Sequence, residues 1–203
     1  MALDLSGAGP QADRSPVPSG VYRLRARLKA GTAGPDFQLK PVKDKPAKLM
    51  LVMECSIIDN EKYDGKRLWD YITVELDRSQ YLQPPPDLPD LEAAVRQGQA
   101  KLKAIIQSAC GLRPDDNSEA SQAIIRRFSS YSSFDGVEFC AQVDLIPAKE
   151  QFKAKNAVDF IVLPGDPEYL ERKNNGSGAV VTTGPTSKPK RNVGDDIEDE
   201  IPF

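Results

Sequence analysis

Apolar and polar residues alternate strictly across residues 21–29, with Tyr22, Leu24, Ala26 and Leu28 on one side and Arg23, Arg25, Arg27 and Lys29 on the other. A period of two predicts a half-buried strand with a basic outer face. Residues 49–58 are mostly apolar, with Val52, Ile57 and Ile58, and have the length of a strand covered on both sides. A turn over residues 59–66, containing Asp64-Gly65, leads into residues 67–76. There Leu68, Ile72 and Val74 alternate with Trp69, Tyr71 and Thr73. Between the first two strands, residues 31–48 mix Gly, Pro and Lys around Phe37 and Leu39, which predicts a long loop or irregular hairpin.

The period then changes. Pro84-Pro85-Pro86 and Pro89 hold the chain extended, after which Leu91, Val95, Leu102, Ile105, Ile106 and Ala109 recur at helical spacing. A helix over residues 91–110 is expected, stopped by Gly111 with Pro114 shortly after. Asn117 or Ser118 can cap a second, short helix carrying Ile124, Ile125 and Phe128. Two more strands are expected over residues 137–146, with Phe139, Ala141, Val143 and Leu145 on one face, and over residues 157–163. The outline is mainly β with a helical insertion at about residues 91–128.

The two ends differ from this body. Residues 1–19 contain Gly7, Gly9, Pro10, Pro16 and Pro18 without apolar periodicity and are expected to form a flexible arm. Pro164-Gly165-Asp166-Pro167 closes the folded domain, residues 20–168. Residues 169–194 turn to Asn, Gly, Ser, Thr, Pro and Lys, which cannot offset the entropy of ordering, so a disordered linker is expected. No internal repeat is visible.

With 39% hydrophobic content in 203 residues, the chain can bury one core. Its longest apolar runs, residues 49–53 and 160–163, are too short to cross a bilayer, and the first twenty residues lack a signal pattern. A soluble, cytoplasmic protein is expected. Cys55, Cys110 and Cys140 lie far apart in apolar surroundings without C-x-x-C spacing, so they read as small core residues rather than a zinc site or disulfide framework. The sequence has no histidine, which removes the commonest general base and metal ligand. No enzyme, cofactor or metal site is expected.

A net charge of −3 argues at first against a nucleic-acid binder. Five of the negative charges, however, fall within the last nine residues, and the remainder of the chain is net positive by two. Those nine residues are Asp195, Asp196, Ile197, Glu198, Asp199, Glu200, Ile201, Pro202 and Phe203. Pro202 keeps the tip extended, and Phe203 offers a ring that an apolar pocket rimmed by Arg or Lys can capture.

An acidic run followed by Ile201-Pro202-Phe203 resembles the tip of the bacterial and phage single-stranded DNA-binding protein family. The body is similar to the phage-type branch through Gly20-Val21-Tyr22-Arg23, Tyr63-Asp64-Gly65-Lys66, the central helix, and Asn156 ahead of Pro164-Gly165-Asp166-Pro167. The resemblance implies an OB-type β-barrel that binds single strands with little sequence preference during replication or recombination. It also implies a tip, Asp195, Asp196, Glu198, Asp199, Glu200, Ile201, Pro202 and Phe203, that recruits replication, recombination or repair proteins. A homo-oligomer is compatible with it. The helical insertion is an addition to a minimal OB barrel, and the DNA contacts are inferred from chemistry rather than carried over.

Sequence-tolerant binding of a single strand needs cations that track phosphates and aromatic faces on which bases stack. Arg23, Arg25, Arg27 and Lys29 supply cations on one strand face, and Trp69 and Tyr71 supply rings on another. Lys40, Lys43, Lys45 and Lys48 extend the basic set from the loop, and Lys66 and Arg67 from the turn ahead of Trp69. Plainer readings stand beside each: a basic face that is merely solvated, a Trp-x-Tyr pair in a barrel core, and an acidic tail that only keeps copies apart. The rival functions are a metal-dependent DNA-processing enzyme and a protein-only adaptor that uses the tail.

Overall fold

The computed structural model describes residues 15–83, 85–149 and 153–170. Four strands come first: β1 (Gly20–Leu28), β2 (Leu39–Val42), β3 (Lys45–Ile58) and β4 (Arg67–Leu76). Two helices follow, α1 (Leu88–Cys110) and α2 (Glu119–Arg126), and then β5 (Glu138–Ile146) and β6 (Lys155–Ile161). Short 3-10 turns at Arg78–Gln80 and Tyr131–Phe134 sit on either side of the helical segment.

The six strands form one antiparallel sheet. β3 is its hub. Along one edge it pairs with β2 at Lys45 to Leu51 and with β1 at Met53 to Ile58, while its other edge pairs with β4. The far side of β1 pairs with β5, which pairs with β6. β4 and β6 touch, although no ladder joins them among the described residues.

Alternation along the strands decides the two faces. Leu24 and Ala26 of β1, Leu51, Met53, Cys55 and Ile57 of β3, and Leu68, Ile72 and Val74 of β4 are buried on the inner face. α1 lays Leu102, Ile105 and Ile106 into the same core. Each such side chain contributes about 1.5–3 kcal/mol on full burial. The helix approaches β4 closely at Gly98, where an added Cβ would lie 1.7 Å from the Thr73 carbonyl oxygen. A polar pin crosses the inner side of the gap between β4 and β6. Lys101 of α1 donates to Asp70 Oδ1 on β4 at 2.9 Å and to the Val158 carbonyl on β6 at 3.3 Å.

The structure departs from the sequence expectation at the start of α1 and decides between its alternatives at two other places. α1 begins three residues early, and Pro89 lies in its first turn rather than in extended chain, because a helix needs no main-chain donor there. The Lys-rich segment takes the irregular-hairpin alternative, β2–β3 with a register shift between Pro41 and Val42; Pro41 is tolerated because β2 is short and β3 is the only named strand it pairs with among the described residues. Ser118 caps α2, its hydroxyl accepting from the Ser121 N–H at 3.2 Å.

The folded region also reaches past both expected boundaries. Val17, placed by the sequence in a flexible arm, is buried, and Asn156 bonds both its main-chain groups, at 2.7 and 2.8 Å. Tyr169, placed in the linker, donates its hydroxyl to the Ser108 carbonyl at 2.8 Å. Cys55 and Cys140 are buried, but Cys110, expected in the core, is exposed at the end of α1. The tip residues, Asp195 to Phe203, and nearly all of the expected linker lie outside the described residues. No helix among the described residues is long and apolar enough to cross a membrane.

Candidate nucleic-acid interface

The outer face of the sheet carries about half of the candidate residues, and strand register sets their order. Arg67 of β4, Ser56 of β3, Arg25 of β1 and Glu138 of β5 lie in one cross-strand row. The next row is Trp69, Glu54 and Arg27. A third begins with Tyr71 and Val52, whose carbonyl accepts from the Lys29 N–H at 3.0 Å. A fourth is Thr73, Met50 and Lys40 of β2. Side chains in neighbouring rows are close enough for rings and long cations to interact.

Trp69 is 43% exposed and Tyr71 59%, although both sit on a strand whose alternate residues are in the core. Neither residue belongs to the buried core. The Lys29 ammonium lies 5.3 Å from the centroid of the Trp69 ring, a cation–π contact that leaves the rest of the ring open to solvent.

Glu54 lies beneath this group and was not singled out from the sequence. It is only 5% exposed and takes Lys29 Nζ at 2.7 Å and Arg67 Nη1 at 3.2 Å. The hydrogen bond from Lys29 is the main reason its carboxyl is held below the ordinary carboxylate value; burial opposes the shift and Arg67 adds to it. The signal was a lone charge inside an apolar strand, since a buried carboxylate requires a partner.

The candidate cations divide by their surroundings. Arg25 is exposed and doubly hydrogen-bonded to Glu138 Oε1, at 2.7 and 3.0 Å. Arg27 is exposed and has no ion-pair partner among the described residues. Lys40 and Lys48 are half-buried on β2 and β3. Lys43 lies in the β2–β3 turn, and Lys45 beside it binds Asp87 at 3.2 Å. Lys66 donates to the Ser15 carbonyl and hydroxyl.

Arg23 departs from the expectation of a solvated basic face. It is 6% exposed, contacts Asp59 at 3.3 Å and donates to the Leu170 carbonyl. Residues 169–170 fold back over that end of β1, which the alternation of β1 alone does not reveal.

The arrangement therefore gathers Arg25, Arg27, Lys29, Arg67, Trp69 and Tyr71 on one face, with Lys40 alongside, and leaves Arg23, Lys43, Lys45, Lys48 and Lys66 apart from it. Rings beside cations on a face with an apolar floor at Val52 and Met50 can accept stacked bases and neighbouring phosphates together. Among the described residues no three Cys, Asp or Glu side chains are grouped to hold a metal ion. Neither the protein-family models nor the curated proteins give a match to this chain.

Proposed function

We propose that this protein binds single-stranded DNA across the outer face of β4, β3 and β1, with little sequence preference. The observation that carries the reading is the exposure of Trp69 and Tyr71 on one strand face, with Lys29 against the first ring and Arg25 and Arg27 in cross-strand register. Stacking is tolerant of base identity because every base presents a π-face, and main-chain phosphates are alike in every sequence.

The strand path β4-β3-β1-β5-β6, with a helix between β4 and β5 and contact between β4 and β6, supports reading the sheet as an OB-type barrel. Such a barrel presents a sheet face to oligonucleotides. The acidic tip at residues 195–203 is the part that docks replication, recombination or repair proteins, and the protein itself turns nothing over.

A mobility shift with labelled thymidine oligonucleotide and Mg²⁺ tests this. Retarded, intact DNA is expected, and Trp69→Ala weakens binding by about 1–3 kcal/mol while leaving the fold intact. Cut DNA would point instead to a metal-dependent enzyme, and DNA that stays unbound to a protein-only adaptor.

A further inference from the structure

The loop from β1 to β2 carries an exposed ring on a left-handed, hydrogen-bonded backbone. Phe37 has a φ of 53° and is 67% exposed. A left-handed backbone is uncommon outside glycine and is an outlier for a bulky residue, so it persists only where the surroundings impose it.

Here they do. The Phe37 carbonyl accepts from the Gly31 N–H at 2.8 Å, and its own N–H donates to the Gly34 carbonyl at 3.3 Å. The N–H groups of Thr32 and Ala33 both donate to the Leu39 carbonyl, at 2.9 and 3.0 Å, and the Leu39 N–H returns to Ala33 at 3.0 Å. Gly31 packs so closely on Leu39 that an added Cβ would lie 2.0 Å from its carbonyl oxygen. Asp36 Oδ2 accepts from the Ser132 N–H at 2.9 Å, which ties the tip to the turn ahead of β5.

Strain maintained by this many hydrogen bonds contributes nothing to the core, since Phe37 lies outside it. What it achieves is an exposed ring carried on a hydrogen-bonded main chain. Lys29 and Lys40 flank the loop, and β1 and β2 follow one another along the same edge of β3. The loop thus leaves and rejoins the sheet beside the rows that hold Trp69 and Tyr71.

We propose that Phe37 is a second stacking position, which receives an unpaired nucleobase of a strand already lying on the Trp69 and Tyr71 platform. The inference rests on the single-strand reading above. Because the loop is held before the ligand arrives, stacking on Phe37 orders little additional chain and little affinity is lost to ordering.

The test uses Phe37→Gly, which removes the ring and suits the left-handed backbone, and Phe37→Tyr, which keeps a ring. Each full-length variant is titrated by anisotropy, at several salt concentrations, with a thymidine oligonucleotide longer than the ~16 nucleotides an OB fold can span. Phe37→Tyr is expected to bind as the parent does. Phe37→Gly is expected to melt no lower than the parent and to bind about five-fold or more weakly, with an unchanged salt slope because no cation is lost. Equal affinity for Phe37→Gly overturns the proposal. So does a loss accompanied by a flatter salt slope or a lower melting temperature, which would assign the effect to the loop and not to the ring. A parent that does not bind overturns the single-strand reading and this inference together, whereas a binding parent with an unaffected Phe37→Gly overturns this inference alone.

Discussion

Glu54 takes the ammonium of Lys29 and the guanidinium of Arg67 while almost wholly buried, and Lys29 in turn covers part of the Trp69 ring. One carboxylate thereby holds two cations, one of them against the exposed ring. Its folded carboxyl titrates below its unfolded value. Its contribution to stability is therefore complete above the unfolded value and is lost as pH falls through the folded one. Glu54→Gln cannot titrate, so the stability gap between parent and variant is expected to be constant near neutrality, at about 1–3 kcal/mol, and to narrow as the solution is acidified below about pH 4.5. Urea melts from pH 7 down to pH 3 measure this; a gap that widens in acid would contradict the assignment. Legibility at this scale is uneven. Alternation placed Trp69 and Tyr71 opposite the core side of β4, but it assigned Arg23 to solvent as well, since period two says nothing of residues 169–170 returning to cover it.

Among the elements, β1 and β4 follow their period-two patterns, and α1 keeps the apolar spacing read from Leu102, Ile105 and Ile106. β2 stays open in the sequence between a loop and an irregular hairpin because Pro41 and Pro46 weaken the local strand signal, whereas pairing with β3 supplies what propensity lacks. Val17 was misplaced for a related reason: its partner Asn156 lies 139 residues away, and no local pattern encodes so distant a bond. The contact of α1 with β4 was equally silent. Gly98 reads as a weak helix residue, yet it lets the helix axis approach Thr73. Ala is the better helix former, so propensity alone predicts a gain of up to about 1 kcal/mol for Gly98→Ala. The close approach predicts the reverse, a loss of about 1–3 kcal/mol from overpacking against main chain that cannot step aside. Thermal denaturation followed by circular dichroism separates the two, and a rise in melting temperature would refute the close packing.

Over the whole molecule, charge is divided between a net-positive body and the acidic residues 195–203, and the average of −3 conceals this. Affinity for a single strand should fall with salt, because each phosphate neutralised releases counterions. Arg27 is exposed without an ion-pair partner among the described residues, so Arg27→Ala is expected to flatten the logarithmic salt slope by about 0.7. Arg23→Ala, by contrast, removes a buried guanidinium that contacts Asp59 and the Leu170 carbonyl and should act on stability with little change in slope. Titrations across a range of salt concentrations read both, and a flatter slope for Arg23→Ala alone would place the phosphates at the other end of β1.

The sequence contains a single tryptophan, Trp69, and it lies at the centre of the proposed binding face. Its fluorescence therefore reports on that face without a second tryptophan to mask it. Titration of the full-length protein with thymidine oligonucleotide is the most direct measurement of the central claim. The account predicts saturable quenching as bases stack on the ring, with little change on adding duplex DNA of equal length, whose bases are already stacked. Single-strand binding detected by anisotropy with no change in Trp69 emission would contradict it and move the DNA to another surface.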